Sequence, residues 1–136
     1  MDANLDEFLK IEDGRVLFQK ADYGDLLLRR VSSRMAEGPA ALSSEERQQR
    51  IHWLQRMAER ALRDDDEGRY RHSWLLSELP QVYFELIRHF WLGPKRSLRL
   101  LEKIDPEFLA LYRKALSGKS ASMLLPCIKK LIENTA

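Results

Sequence analysis

Residues 43–62 read SSEERQQRIHWLQRMAERAL, and their spacing decides the fold class. Ser43 stands three residues before Glu46, the capping-box pattern. In that pattern the serine hydroxyl accepts from the Glu46 backbone N–H while the glutamate reaches back to the Ser43 N–H. Ile51, Leu54, Met57, Ala58, Ala61 and Leu62 then recur at helical spacing, with arginines, glutamines and glutamates between them. The stretch is an amphipathic helix that starts after Ser43, and the spacing predicts that it runs to about Asp65.

The same periodicity extends downstream. A second long helix is expected from Tyr70 to Phe90, with Leu75, Leu79, Val82, Leu86 and Phe90 toward the core and a kink at Pro80. Gly93 supplies a stop and Pro94 suits a first helical turn, so a short helix follows from Lys95 to Ile104. Asp105-Pro106 opens another, with Phe108, Leu111, Tyr112, Ala115 and Leu116 on its apolar face and Gly118 as its end. A final helix spans about Ser120 to Glu133 through Leu124, Ile128, Leu131 and Ile132.

Upstream, Leu5 to Ile11 forms a short helix and Glu12-Asp13-Gly14-Arg15 is turn chemistry. Val16-Leu17-Phe18 is the one segment with strand character. Leu26, Leu27, Val31 and Met35 mark a helix from Tyr23 that Glu37-Gly38-Pro39 ends. The expected fold is all-α, an up-and-down bundle of five or six helices. It is expected to be one helical domain over 1–136, with an N-terminal arm at 1–20 and the bundle at 21–136.

A chain of 136 residues with 44% hydrophobic and 32% charged side chains can bury a core without disulfides or metals. Its formal charge of +2 is too small to favour general nucleic-acid binding. Cys127 is the sole cysteine and lies among Leu124, Leu125, Ile128 and Leu131, which suits a small buried hydrophobe in a reducing compartment. The start has neither a basic nor an apolar leader region, and no stretch approaches the roughly 18 apolar residues of a membrane span. A cytoplasmic location without membrane insertion is expected.

Motifs for chemistry are sparse. There is no Walker-type phosphate loop and no G-x-G-x-x-G before a helix. His52, His72 and His89 stand singly, so no zinc-ligand pair exists and no metal site is expected. His72, beside Arg69 and Arg71, reads as an ordinary exposed or partly packed imidazole. Asp64-Asp65-Asp66 point in different directions on a helix and read as a solvated end, although acids at a C-terminus oppose the dipole. Arg47 and His52 have the R-x4-H spacing of HEPN-type ribonucleases, an arginine to hold phosphate and a histidine to move a proton. They sit on an early helix, where that family uses a late one, and no catalytic residue is assigned.

Residues 83–103 read YFELIRHFWLGPKRSLRLLEK and set aromatic surface beside positive charge. Between 88 and 103, Arg88, Lys95, Arg96, Arg99 and Lys103 face Glu102 alone. Lys95 and Arg96 fall in the first turn after Gly93-Pro94, where backbone N–H groups add attraction for an anion. The candidate binding residues are therefore Lys95 and Arg96, with Arg88, Trp91 and Tyr83 beside them.

Several pieces occur in a telling order: Gly14-Arg15-Val16-Leu17-Phe18, Trp53 on a helix ending in acids, Trp74-Leu75-Leu76, Tyr83-Phe84-Glu85-Leu86, Gly93-Pro94-Lys95-Arg96 and Asp105-Pro106. Together, over residues 12 to 117, they resemble the HEPN-like helical C-terminal region of bacterial nucleotidyltransferases of the kanamycin nucleotidyltransferase and MNT/HEPN group. The resemblance implies a helical substrate-binding domain that closes over the acceptor, with Lys95 and Arg96 matching the family's glycine-lysine turn. In that family a separate α/β domain carries a G-S-x-x-x-G-like loop and a D-x-D pair that holds Mg²⁺. This sequence has no such loop and no D-x-D in a strand context.

The expected role is thus a non-catalytic substrate- or nucleotide-binding module beside a nucleotidyltransferase catalytic domain or subunit. It has no cofactor of its own, since Mg-nucleotide requires the partner's carboxylates. A homodimer is a further arrangement open to such a bundle. The alternatives are an interaction or dimerisation domain without ligand, and a HEPN-like ribonuclease using Arg47 and His52.

Overall fold

A computed structural model describes residues 2–136 and is all-α, with no strand among the described residues. Helices α1 (Tyr23–Glu37), α2 (Ser44–Ala61), α3 (Asp66–Leu86), α4 (Pro94–Ile104), α5 (Pro106–Ser117) and α6 (Leu124–Thr135) are accompanied by 3-10 helices at Asp2–Ile11, before α1, and Ala121–Met123, between α5 and α6. Contacts divide the chain between Ala40 and Ala41 into two units. Helix α1 falls in the first unit, with the segment that precedes it.

In the N-terminal unit the 3-10 helix packs on α1 through buried Leu9 and Val31, and Arg34 donates to the Asp6 carboxylate at 2.7 Å. Of the apolar positions expected to face inward on α1, Val31 alone is buried. Val16-Leu17-Phe18 forms no strand: it runs as bend and irregular backbone, with Phe18 97% exposed. A strand needs a neighbouring strand for its N–H and C=O groups, and none is formed among the described residues.

The second unit holds the main core. Its tightest pair is α2 with α3, and α6 packs on α2, α3 and α5. The capping box at Ser43 and Glu46 is present in both directions, at 3.1 Å and 2.7 Å. Leu54, Leu75, Leu79, Phe84, Leu101, Phe108, Leu124 and Leu131 are fully buried, and Tyr83 stacks on Phe108 with ring centroids 4.5 Å apart.

Two expected boundaries move. α2 stops at Ala61, and the Asp65 side chain accepts from the Gly68 N–H at 2.8 Å, so the aspartates open α3 and do not close α2. Their charges then favour the dipole they had been expected to oppose. α3 passes through Pro80 as one helix and ends at Leu86, where Arg88 turns the chain with φ of 60°. Phe90 consequently lies outside the helix, half-buried.

Candidate functional site

The turn between α3 and α4 is built from a helix stop and a helix start. Gly93 takes φ of 86°, a left-handed conformation suited to glycine, and no side chain caps α4. Buried Ser97 holds the approach by accepting from the Leu92 N–H at 2.9 Å. Pro94 fills the first position of α4, where a missing N–H costs nothing.

The five sequence candidates separate around this turn. Lys95 is exposed and Arg96 half-buried in the first turn of α4, and Arg88 is exposed just beyond α3. Trp91 is half-buried, packed edge-on against Phe84 at 5.5 Å. Tyr83 lies in the core with its hydroxyl donating to Asp105 at 2.7 Å, which leaves no face for a ligand at this turn.

The helix adds two cations outside that candidate set. Lys95, Arg99 and Lys103 are four residues apart, hence on one face of α4, and all three are exposed. Among the described residues none of them forms an ion pair, whereas Glu102 is paired with Arg113. The i, i+4, i+8 spacing is visible in the sequence and would have found Arg99 and Lys103.

Other reactive side chains have structural work. Arg47 donates to Leu86 O at 3.1 Å and to Thr135 O, satisfying carbonyls at the C-terminal ends of α3 and α6, while His52 is exposed. The arginine of the R-x4-H pair is thus a tie between helices. Burial pushes the Cys127 thiol up to about 11, the opposite of an activated nucleophile. Trp53 and Trp74, two positions carrying the family resemblance, meet edge to face at 5.8 Å and so serve α2–α3 packing.

In the N-terminal unit a separate groove of about 690 Å³ has Phe8, Phe18, Tyr23 and Leu26 on its walls and Lys20 at its edge. Each of those four apolar side chains is at least 40% exposed.

No protein-family model matches this chain, and neither the curated proteins nor the solved structures yield a match.

Proposed function

We propose that this chain is a non-catalytic, HEPN-like helical module that works beside a nucleotidyltransferase catalytic domain or subunit. In this reading α4 is presented to the phosphates of a nucleotide or to an anionic acceptor. The observation that carries it is the exposed stripe of Lys95, Arg99 and Lys103, three cations on one helix face with no carboxylate partner among the described residues. Surface cations that pair with nothing add to one another's field, and the helix N-terminus at Lys95 adds its partial positive charge. The ordered motifs from Gly14 to Pro106 supply the link to nucleotidyl transfer, and Mg²⁺ would come with the partner's carboxylates.

The test is calorimetric titration with Mg-nucleotides at low and at high salt, on wild type and on Lys95→Ala/Arg99→Ala/Lys103→Ala. Saturable binding that fades with salt and weakens about tenfold or more in the variant supports the reading. Binding that is equal in the variant, or absent for every nucleotide with and without the catalytic partner, overturns it.

A second reading, a partner-docking domain without ligand, is favoured by the apolar walls of the N-terminal groove. It predicts a mass above the monomer in light scattering that Phe18→Glu abolishes.

A further inference from the structure

The geometry points to a phosphate-binding pocket at the opposite end of the α2–α3 hairpin from the Leu86 carbonyl tie, separate from the α4 stripe. A cavity of about 390 Å³ is lined by Arg63, Arg69, His72, Lys119 and Ser120, with Asp64 as the one carboxylate of its wall. Its residues come from the α2–α3 corner and from the segment between α5 and α6, regions some fifty residues apart in sequence. The backbone is tightly packed beside both walls. A Cβ on Gly68 would sit 1.9 Å from Arg63 O, and a Cβ on Gly118 would sit 2.0 Å from Met123 Sδ.

The lining has unused capacity for an anion. His72 Nε2 is buried and meets no hydrogen-bond partner among the described residues. Lys119 is exposed and forms no ion pair among them. Arg69 is engaged with Asp66 at 2.7 Å and Asp64 at 3.4 Å, but both carboxylates are fully exposed, so these are weak, water-competed pairs. A phosphate presents several charged acceptor oxygens and takes an arginine fork in two parallel hydrogen bonds, so it competes with the exposed Asp64 and Asp66 carboxylates for Arg69. Ser120, whose hydroxyl meets Ser122 Oγ at 2.7 Å, supplies a further donor on turning to the anion, Lys119 adds a point charge, and the His72 ring in the same wall senses an anion bound there. The volume suits a phosphomonoester or a diphosphate and leaves room for a small attached group.

The probes are inorganic phosphate, pyrophosphate, adenosine monophosphate and adenosine at constant ionic strength. Binding is followed by calorimetry and by the imidazole resonances of the three histidines. Saturable binding of phosphate or pyrophosphate is expected to move His72 and leave His52 and His89 in place. Tighter binding of adenosine monophosphate than of free phosphate assigns the pocket to a phosphomonoester, and the reverse assigns it to the free anion. Lys119→Ala, at an exposed position that leaves the fold intact, is expected to weaken binding about fivefold, and Arg69→Gln about tenfold. The Lys95→Ala/Arg99→Ala/Lys103→Ala variant should retain this binding, which separates the pocket from the α4 reading: either one can fail alone. An unmoved His72, a uniform shift of all three histidines, or equal affinity in Lys119→Ala and Lys119→Glu overturns the inference.

Discussion

The Tyr83 hydroxyl donates a 2.7 Å hydrogen bond to Asp105 Oδ2 and so joins the last turn of α3 to the cap of α5. The other carboxylate oxygen accepts from the Phe108 N–H at 3.0 Å, and Asn134 adds a donor from α6. One buried carboxylate thereby fastens three helices. Tyr83→Phe keeps the ring on Phe108 but removes a donor from a charge that stays buried. It should cost about 1–2 kcal/mol at neutral pH in urea unfolding, with an unchanged m-value. A wild-type midpoint would mean that the hydroxyl contributes nothing to the network.

The same pair sets a dependence on pH. Burial by itself raises the Asp105 carboxyl, but the bonds from Tyr83, Phe108 N–H and Asn134, with the Lys130 charge nearby, hold it below the usual value. A depressed folded pKa gives stability that is present above the unfolded value and lost as pH falls through the folded one. Stability should therefore decline below about pH 4, with a shallower acid limb in Asp105→Asn. Tyr83 moves the other way, pushed up to about 12 by burial and then by its bond to Asp105. Its contribution is complete below about pH 10 and disappears as pH rises through the folded value. In an absorbance titration Tyr83 should ionise late, above the ordinary tyrosine value; its ionisation at that ordinary value would contradict the burial argument.

Arg47 makes a prediction that separates support from catalysis. Its guanidinium binds the carbonyls of Leu86 and Thr135, groups left without helical partners at the ends of α3 and α6. Arg47→Ala should destabilise by about 1.5–3 kcal/mol, and Arg47→Lys should recover only part, because a single ammonium cannot match the two-pronged geometry. His52→Ala, at an exposed site, should leave the midpoint unchanged. Ribonuclease activity lost in His52→Ala would reverse this assignment and return the pair to chemistry.

Helix existence was legible because it rests on local patterns. Ser43 with Glu46, Gly93-Pro94 and Asp105-Pro106 each mark a start by chemistry confined to one turn, and each is found in place. Boundaries set by competition were less legible. Asp64-Asp65-Asp66 suits either the end of one helix or the start of the next, and the Asp65 bond to Gly68 decides for the start. Tyr83 shows the limit for sites: an aromatic beside basic residues has the same composition whether it faces a ligand or a buried carboxylate, and Asp105 lies twenty-two residues away. The His72 and Lys119 cavity had no local signature, since its walls meet only after α5 returns the chain to the α2–α3 corner.

Gly68 tests that corner directly. It sits in the first turn of α3, buried, and its N–H is bound by Asp65. On propensity alone, glycine to alanine in a helix gains up to about 1 kcal/mol. Here the added methyl would lie 1.9 Å from Arg63 O, a backbone atom that cannot swing aside as a side-chain end would. The clash therefore outweighs propensity, and Gly68→Ala should lose about 1–3 kcal/mol. Ser73→Ala, exposed on the same helix, is the control and should be neutral or slightly stabilising. Opposite signs for the two substitutions in thermal or urea unfolding would establish that backbone closeness dictates the glycine. A stabilised Gly68→Ala would mean that the corner is looser than 1.9 Å implies. Because Arg63 lines the phosphate pocket, the same substitution should also weaken phosphate binding, whereas Ser73→Ala should not.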